Sequence, residues 1–368
     1  MNGPGILASA LSFFAVIAPL IFVHELGHYL VGRWFGVKAE TFSIGFGREI
    51  VGWTDKRGTR WKIGWLPMGG YVKFAGDMSP ASEPSDEWLS LPPAERAQTF
   101  QARTLWQKAL IVAAGPAVNF LVAILIFAAF IAAFGDPRTP TRLSAVMPGS
   151  AAASAGFRPG DVVQAIGGRR VKRFEDIRSF VEIRPGARVD VLARRGSETL
   201  LLPVVIGTRT EIDRLGRRHD LGQLGVSPGS SVRVHLPVAQ VPFAALRLTG
   251  TTLTTMAEGL GQIVTGTRPV EELGGPLKIA QYSGEQASTG WLNFVAFVAL
   301  ISLNLGFINL LPIPMLDGGH LAFYALSAIR GKPISARVLD WSFRGGLALL
   351  LGLMMVVTFN DLASFGLL

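Results

Sequence analysis

Residues 21–30 read Ile-Phe-Val-His-Glu-Leu-Gly-His-Tyr-Leu, and they place His24, Glu25 and His28 in an H-E-x-x-H pattern within an otherwise apolar run. On a helix, two histidines four residues apart project from one face, so their imidazoles can converge on a single metal ion. Glu25 lies beside them, close enough to take a proton from a water that the metal activates without itself being a ligand. The setting sharpens the motif. From Met1 to Val23 there is no ionisable side chain, and then three arrive within five positions. An acidic residue at mid-bilayer costs roughly 2.5–3.5 kcal/mol even on the milder insertion scales, and such groups mark function.

Working outward, four apolar segments organise the chain: about Gly5–Gly32, Leu110–Phe134, Trp291–Leu316 and the shorter, marginal Gly345–Phe359. A span needs about 20 residues of helix to cross the roughly 30 Å hydrocarbon layer. Composition agrees, with 49% hydrophobic and 17% charged residues and a mean hydropathy of +0.38, where soluble domains carry about a quarter charged residues. The start, Met-Asn-Gly-Pro-Gly, lacks the basic region of a cleaved signal peptide. With no cysteine, disulfides and thiolate metal sites are excluded, which leaves His and carboxylate as ligands. The net charge of +9 comes without a basic-aromatic motif, so no nucleic-acid partner is expected.

Arg33 and Lys38 follow the first segment and nothing basic precedes it; Arg330, Lys332, Arg337 and Arg344 follow the third. The positive-inside rule then puts both of those ends in the cytoplasm and the long stretch between the second and third segments outside. Asp317 lies at the inner end of the third segment, at the depth expected for His24 and His28, in Asn309-Leu-Leu-Pro-Ile-Pro-Met-Leu-Asp-Gly-Gly-His320. Two prolines interrupt helical hydrogen bonding there and two glycines permit close backbone approach. Asp317 is therefore the expected third ligand, although an interfacial helix cap is a competing reading of that residue alone. His320, one turn on, is expected to support the site from behind, a substitute ligand being the other reading of it.

His24-Glu25-Leu-Gly-His28, Gly115-Pro-Ala-Val-Asn-Phe120 and Asn309 through Gly319, in that order, resemble the three signatures of the site-2 protease family of intramembrane zinc metalloproteases, most of all the bacterial regulator-of-sigma-E type. The resemblance implies that His24, His28 and Asp317 bind one Zn2+, that Glu25 is the general base, and that Asn309 positions substrate or stabilises the oxyanion. It places Asn119 in the second-helix motif, as a substrate contact or a packing residue. The implied fold is a polytopic α-helical membrane protein of about four transmembrane helices, with a membrane-associated β-sheet and an inserted α+β PDZ domain. Implied partners are the lipid bilayer, single-span membrane proteins such as a pre-trimmed anti-sigma factor, remnant signal peptides, and a peptide ligand of the PDZ domain, all at a bacterial inner membrane. A non-enzymatic PDZ scaffold and a metal transporter are the alternatives.

Four blocks are expected. Residues 1–135 hold two helices and an intervening β region: Thr41–Gly47, Arg60–Leu66 and Gly69–Phe74 read as short strands. In relatives such strands receive substrate as an added strand, which makes Gly69, Gly70 and Tyr71 candidate contacts; an interfacial hairpin with an aromatic belt of Trp53, Trp61 and Trp65 reads equally well. The proline-containing Asp77–Gln101 stretch reads as a cytoplasmic loop. Residues 136–207 resemble a single periplasmic PDZ domain: a strand with a free edge near Leu143–Met147, a helix ending near Gly156, a Gly160-Asp161 turn, helix Phe174–Glu182, and strands Arg188–Ala193 and Thr199–Val205. Residues 208–290 read as a linker with an amphipathic helix at Val238–Ile263, His219 and His235 being solvated, and 291–368 as the last two spans.

Overall fold

The computed structural model describes residues 5–76, 90–182, 184–212, 218–266 and 274–364. Most of the expected Asp77–Gln101 loop, with Pro80 and Pro84, and the side chain of His219 lie outside the described residues. Among the described residues, four helices are long and apolar enough to cross a membrane: α1 (Ile6–Trp34), α3 (Leu105–Phe134), α8 (Trp291–Asn309) and the Arg337–Ala363 part of α10 (Ala336–Ser364). The chain divides into two compact units, one of residues 1–127, 248–253 and 271–368, the other of 128–247 and 254–270.

In the first unit, β1 (Ala39–Thr54) and β2 (Arg60–Phe74) form an antiparallel pair whose register changes along its length. Residues 39–44 of β1 face 70–74 of β2 on one side and 60–63 on the other, while 49–54 face 60–64. Each long strand therefore acts as two, and the Gly69–Phe74 segment forms an edge. Glycines allow the doubling: Gly45 and Gly47 adopt φ of 85° and 83°, a region that side chains with a Cβ avoid. Trp61 stacks on Phe42 at 4.3 Å and packs with Tyr29, whereas Trp53 and Trp65 are exposed, so the expected belt is split between core and surface. A short helix, α2 (Pro93–Arg96), precedes α3.

The third span is shorter than its apolar run suggests. Helix α8 stops at Asn309 rather than continuing to Leu316, because Pro312 and Pro314 lack the N–H a helix needs and Met315 turns to φ 84°. The chain folds tightly over the start of α9 (Asp317–Arg330): a Cβ at Gly318 would lie 2.2 Å from the Leu310 carbonyl oxygen, and one at Gly319 2.4 Å from that of Ile313. The fourth segment is longer than expected. The ends of α10 extend its helix to 29 residues, with Arg344 and Asp340 paired at 2.9 Å one turn apart, so it is long enough to span and is not marginal. Preceding α8, α7 (Pro276–Thr289) has its first amides held by the buried Asp361 carboxylate of α10, which accepts from Gly275 at 3.0 Å and Leu277 at 3.0 Å.

The second unit contains each element expected of the PDZ-like stretch: β4 (Leu143–Val146), α4 (Ala151–Ser154), β5 (Val162–Ile166), α5 (Phe174–Glu182), β7 (Arg188–Arg195) and β8 (Glu198–Val205). Of these strands, β5, β7 and β8 join β6 (Arg169–Arg170) in a sheet ordered β6-β5-β7-β8. Ile166, Ile177, Val191 and Ile206 pack between sheet and helices. Asp161, fully buried, accepts two 2.8 Å bonds from Arg195 and one from the Arg158 amide. Burial pushes its carboxyl up, but these donors outweigh that and hold it below the ordinary Asp value.

Two expectations change here. The unit does not end near Gly207: β9 (Gly207–Ile212) pairs with β10 (Arg218–Gln223), Leu224 enters the same core, and β11 (Val226–Pro228) pairs with β4. The expected free edge at Leu143–Met147 is therefore occupied by β11. Beyond it, β12 (Val232–Val234) pairs with β3 (Asp136–Arg138), and α6 (Val241–Val264) follows where an amphipathic helix was expected.

Candidate active site

The site forms where α1 crosses α3. A Cβ at Gly27 would lie 2.5 Å from the Ala114 carbonyl oxygen, so the glycine lets the two backbones touch. Gly115, one residue further along α3, leaves the space that the histidines fill: a Cβ there would lie 2.2 Å from His28 Nε2 and 2.9 Å from His24 Cε1.

Three ligand-type atoms meet in that space. His24 Nε2 and His28 Nε2 are 3.2 Å apart, and Asp317 Oδ2 lies 3.3 Å from the first and 3.6 Å from the second. Among the described residues these three form the cluster able to hold a metal ion. Tetrahedral coordination at about 2.05 Å places ligand atoms about 3.3 Å apart, which the three separations match. Asp317 Oδ2 is buried and has no hydrogen-bond donor, an arrangement that is unfavourable unless a cation completes it. The donor set, two imidazoles and one carboxylate, suits zinc.

Helix α3 holds the other side of both rings. His28 Nδ1 is 2.8 Å from the Ile111 carbonyl oxygen, and His24 Nδ1 is 3.0 Å from the side-chain amide of Asn119. Both Nδ1 atoms are thus engaged and both Nε2 atoms turn toward Asp317. Ile111, Gly115 and Asn119 are spaced by four, a stripe on α3 that meets the four-residue stripe of His24 and His28 on α1. Asn119 is fully buried behind His24, and Ser302 of α8 donates to its backbone carbonyl. It is not among the residues that line the cavity and stands behind a ligand, in keeping with the packing reading of this residue.

A cavity of about 570 Å³ opens in front of the cluster. Glu25 lines it and accepts a hydrogen bond from the Val72 amide of the edge strand. Gly69, Gly70, Tyr71 and Asn309 also line it. A Cβ at Gly70 would lie 3.0 Å from Glu25 Cγ, so glycine lets the strand approach the carboxylate. His320 is in the cavity wall with its ring 5.1 Å from Phe343, outside the ligand triangle. Gly115 and the Ile111 carbonyl escaped the sequence reading, although the spacing back from Asn119 pointed to them.

The model of peptidase family M50 matches residues 12–353. The chain belongs to peptidase family M50. A protein of Agrobacterium fabrum named as a candidate zinc metalloprotease is 44% identical over 358 residues, covering 96% of this chain and 95% of that one. The metalloprotease MmpA of Caulobacter vibrioides is 35% identical over 386 residues, with 98% and 97% covered. This M50 peptidase is a membrane metalloprotease, and the metal its relatives are named for is zinc. Among solved structures, the PDZ domain of an SdrC-like protein of Listeria monocytogenes covers 24% of this chain and 87% of its own, at 16% identity and a TM-score of 0.20.

Proposed function

We propose that this M50 peptidase is an intramembrane zinc endopeptidase that cuts transmembrane segments of single-span membrane proteins, a pre-trimmed anti-sigma factor or remnant signal peptide being the expected kind of substrate. The observation that carries this reading is the placement of the ligand triangle and Glu25: they lie on or beside spanning helices and face a cavity bounded by a strand edge. His24, His28 and Asp317 hold one zinc ion. When bound, zinc supplies the Lewis acidity that activates water and polarises a peptide carbonyl. Glu25 accepts the water proton and returns it to the leaving amine. Asn309 offers its amide to the carbonyl oxygen as charge develops there.

A transmembrane helix shields its carbonyls with its own hydrogen bonds, so a substrate must be extended before attack. The Gly69–Phe74 edge supports that step, since an extended peptide can add to it as a strand beside Glu25. The basic residues after α1 and α8 support an orientation with the site toward the cytoplasm and the second unit in the periplasm. In that unit a groove of about 220 Å³ lies between α5 and residues 221–226, lined by Met147, Ile177, Val181, Leu221 and Val226. It replaces the β4 edge as the place for a peptide ligand, or for a filter that admits shortened substrates.

The test is cleavage of a panel of single-span peptides by detergent-purified protein, wild type beside Glu25→Gln, with zinc assayed in both. Cleavage by wild type alone, with zinc retained in both, supports the reading. Zinc without cleavage of any peptide by wild type turns it toward a scaffold or transporter.

A further inference from the structure

Beyond Phe134, where α3 ends, the chain becomes basic. Residues 128–247 contain 18 Lys and Arg against 10 Asp and Glu, which accounts for nearly all of the net charge of +9. Part of that charge gathers two residues past the helix end. Asp136 is buried, and its Oδ2 receives Arg247 Nη2 at 2.8 Å, Arg138 Nε at 2.9 Å and Arg173 Nη2 at 3.8 Å. Arg233, on β12 opposite Pro137, stands 5.7 Å from the ring centre of Phe134. Asp176, whose charge acts on Arg173 as that of Asp136 does, accepts from the backbone amides of Lys172 and Arg173. Among the described residues, four arginines, with Lys172 next to Arg173 in sequence, thus lie about these two carboxylates. Burial, and next the Arg247 charge, hold the pKa of Arg173 below its ordinary value, against the opposing pull of Asp136.

Apolar side chains border the same corner. Val238 is 86% exposed, Phe243 74% and Leu246 52%, while Val241, Ala244 and Ala245 are buried on the other side of α6. Phe243 and Leu246 are one turn apart, and Arg247 is one turn from Phe243. Two exposed apolar residues and one arginine therefore share a face of α6, and that arginine reaches Asp136, two residues past the end of α3.

We propose that this corner is a docking surface for the phosphate headgroups of anionic phospholipids, with Phe243 and Leu246 set among the acyl chains. The guanidinium groups suit phosphate oxygens in geometry as well as charge. An acidic peptide would match the charge but leave the exposed apolar residues without a partner, and continuity with α3 favours the leaflet.

The test titrates the full-length protein in mild detergent with phosphatidylglycerol and with phosphatidylcholine, reading retained lipid by native mass spectrometry. Wild type is expected to retain phosphatidylglycerol at least about tenfold more tightly, and each cation removed to weaken it about fivefold. Arg247→Gln is the direct variant, but it removes a partner of buried Asp136. Lys172→Gln with Arg233→Gln leaves all three arginines on Asp136 and keeps the test sound where Arg247→Gln misfolds. Equal retention of the two lipids overturns the proposal, as does unchanged retention in the Lys172/Arg233 variant. Displacement of the lipid by millimolar inorganic phosphate, or by an acidic peptide, would likewise overturn it by showing that the site does not select a lipid.

Discussion

Replacing Asn119 by Leu should loosen the metal while leaving the fold intact. With Nε2 of His24 turned to the ligand triangle, Nδ1 carries the ring proton; Asn119 Nδ2 lies 3.0 Å from it while the amide oxygen has no donor, so turning the amide over, oxygen for nitrogen, supplies the acceptor. Leucine fills the same volume and offers no acceptor. The buried Nδ1–H is then unsatisfied, which costs about 1–3 kcal/mol, or roughly 5- to 150-fold in affinity at 1.4 kcal/mol per decade. Measured losses on removing partners behind metal ligands, about 10- to 100-fold, fall in the same range. The assay is competition for zinc against a chromophoric chelator in detergent, with helix content and melting temperature followed in parallel. Asn119→Asp, which keeps an acceptor in place, should stay within about tenfold of wild type. An Asn119→Leu protein that melts like wild type and binds zinc within twofold would refute the role assigned to this residue.

Gly115→Ala should be more severe, because its methyl would fall 2.2 Å from His28 Nε2; zinc content after purification should drop well below stoichiometric. Arg195→Ala leaves the Asp161 carboxylate with the Arg158 amide alone and should destabilise the second unit, read as faster proteolysis of residues 128–247 in the full-length chain. Since Asp161 titrates lower in the folded chain than in the unfolded one, its contribution is fully present above about pH 4 and is lost as pH falls through the folded value; melting temperatures of wild type and Arg195→Ala should converge in acid. Met315→Val should destabilise by roughly 1–3 kcal/mol, because a β-branched residue tolerates φ 84° poorly, whereas Met315→Gly should not; chemical unfolding would distinguish them.

Much of the site was legible because its signals are local. His24 and His28 announce themselves by helical spacing, and Asp317 by standing alone at the end of an apolar run. What escaped depends on contacts between distant parts of the chain. Asn119 looks the same in sequence whether it meets substrate or an imidazole, and only the α1–α3 crossing decides. The pairing of β11 with β4 joins residues about eighty positions apart, so no window of sequence contains it. Apolar runs locate membrane helices but not their ends, because prolines cut α8 short at Asn309 while a charged turn lengthens α10.

The strand edge beside Glu25 has a consequence for selectivity. An edge grips a guest by its backbone, which every polypeptide shares, so it reads few letters of the guest's sequence. With a transmembrane guest, as proposed above, choice would fall to how readily its helix comes apart. Glycine, proline or asparagine within a guest span should mark it for cutting more strongly than any residue at the scissile bond, and a stiff leucine-rich span should survive beside the same catalytic groups. On this view the enzyme senses the mechanical softness of its guests.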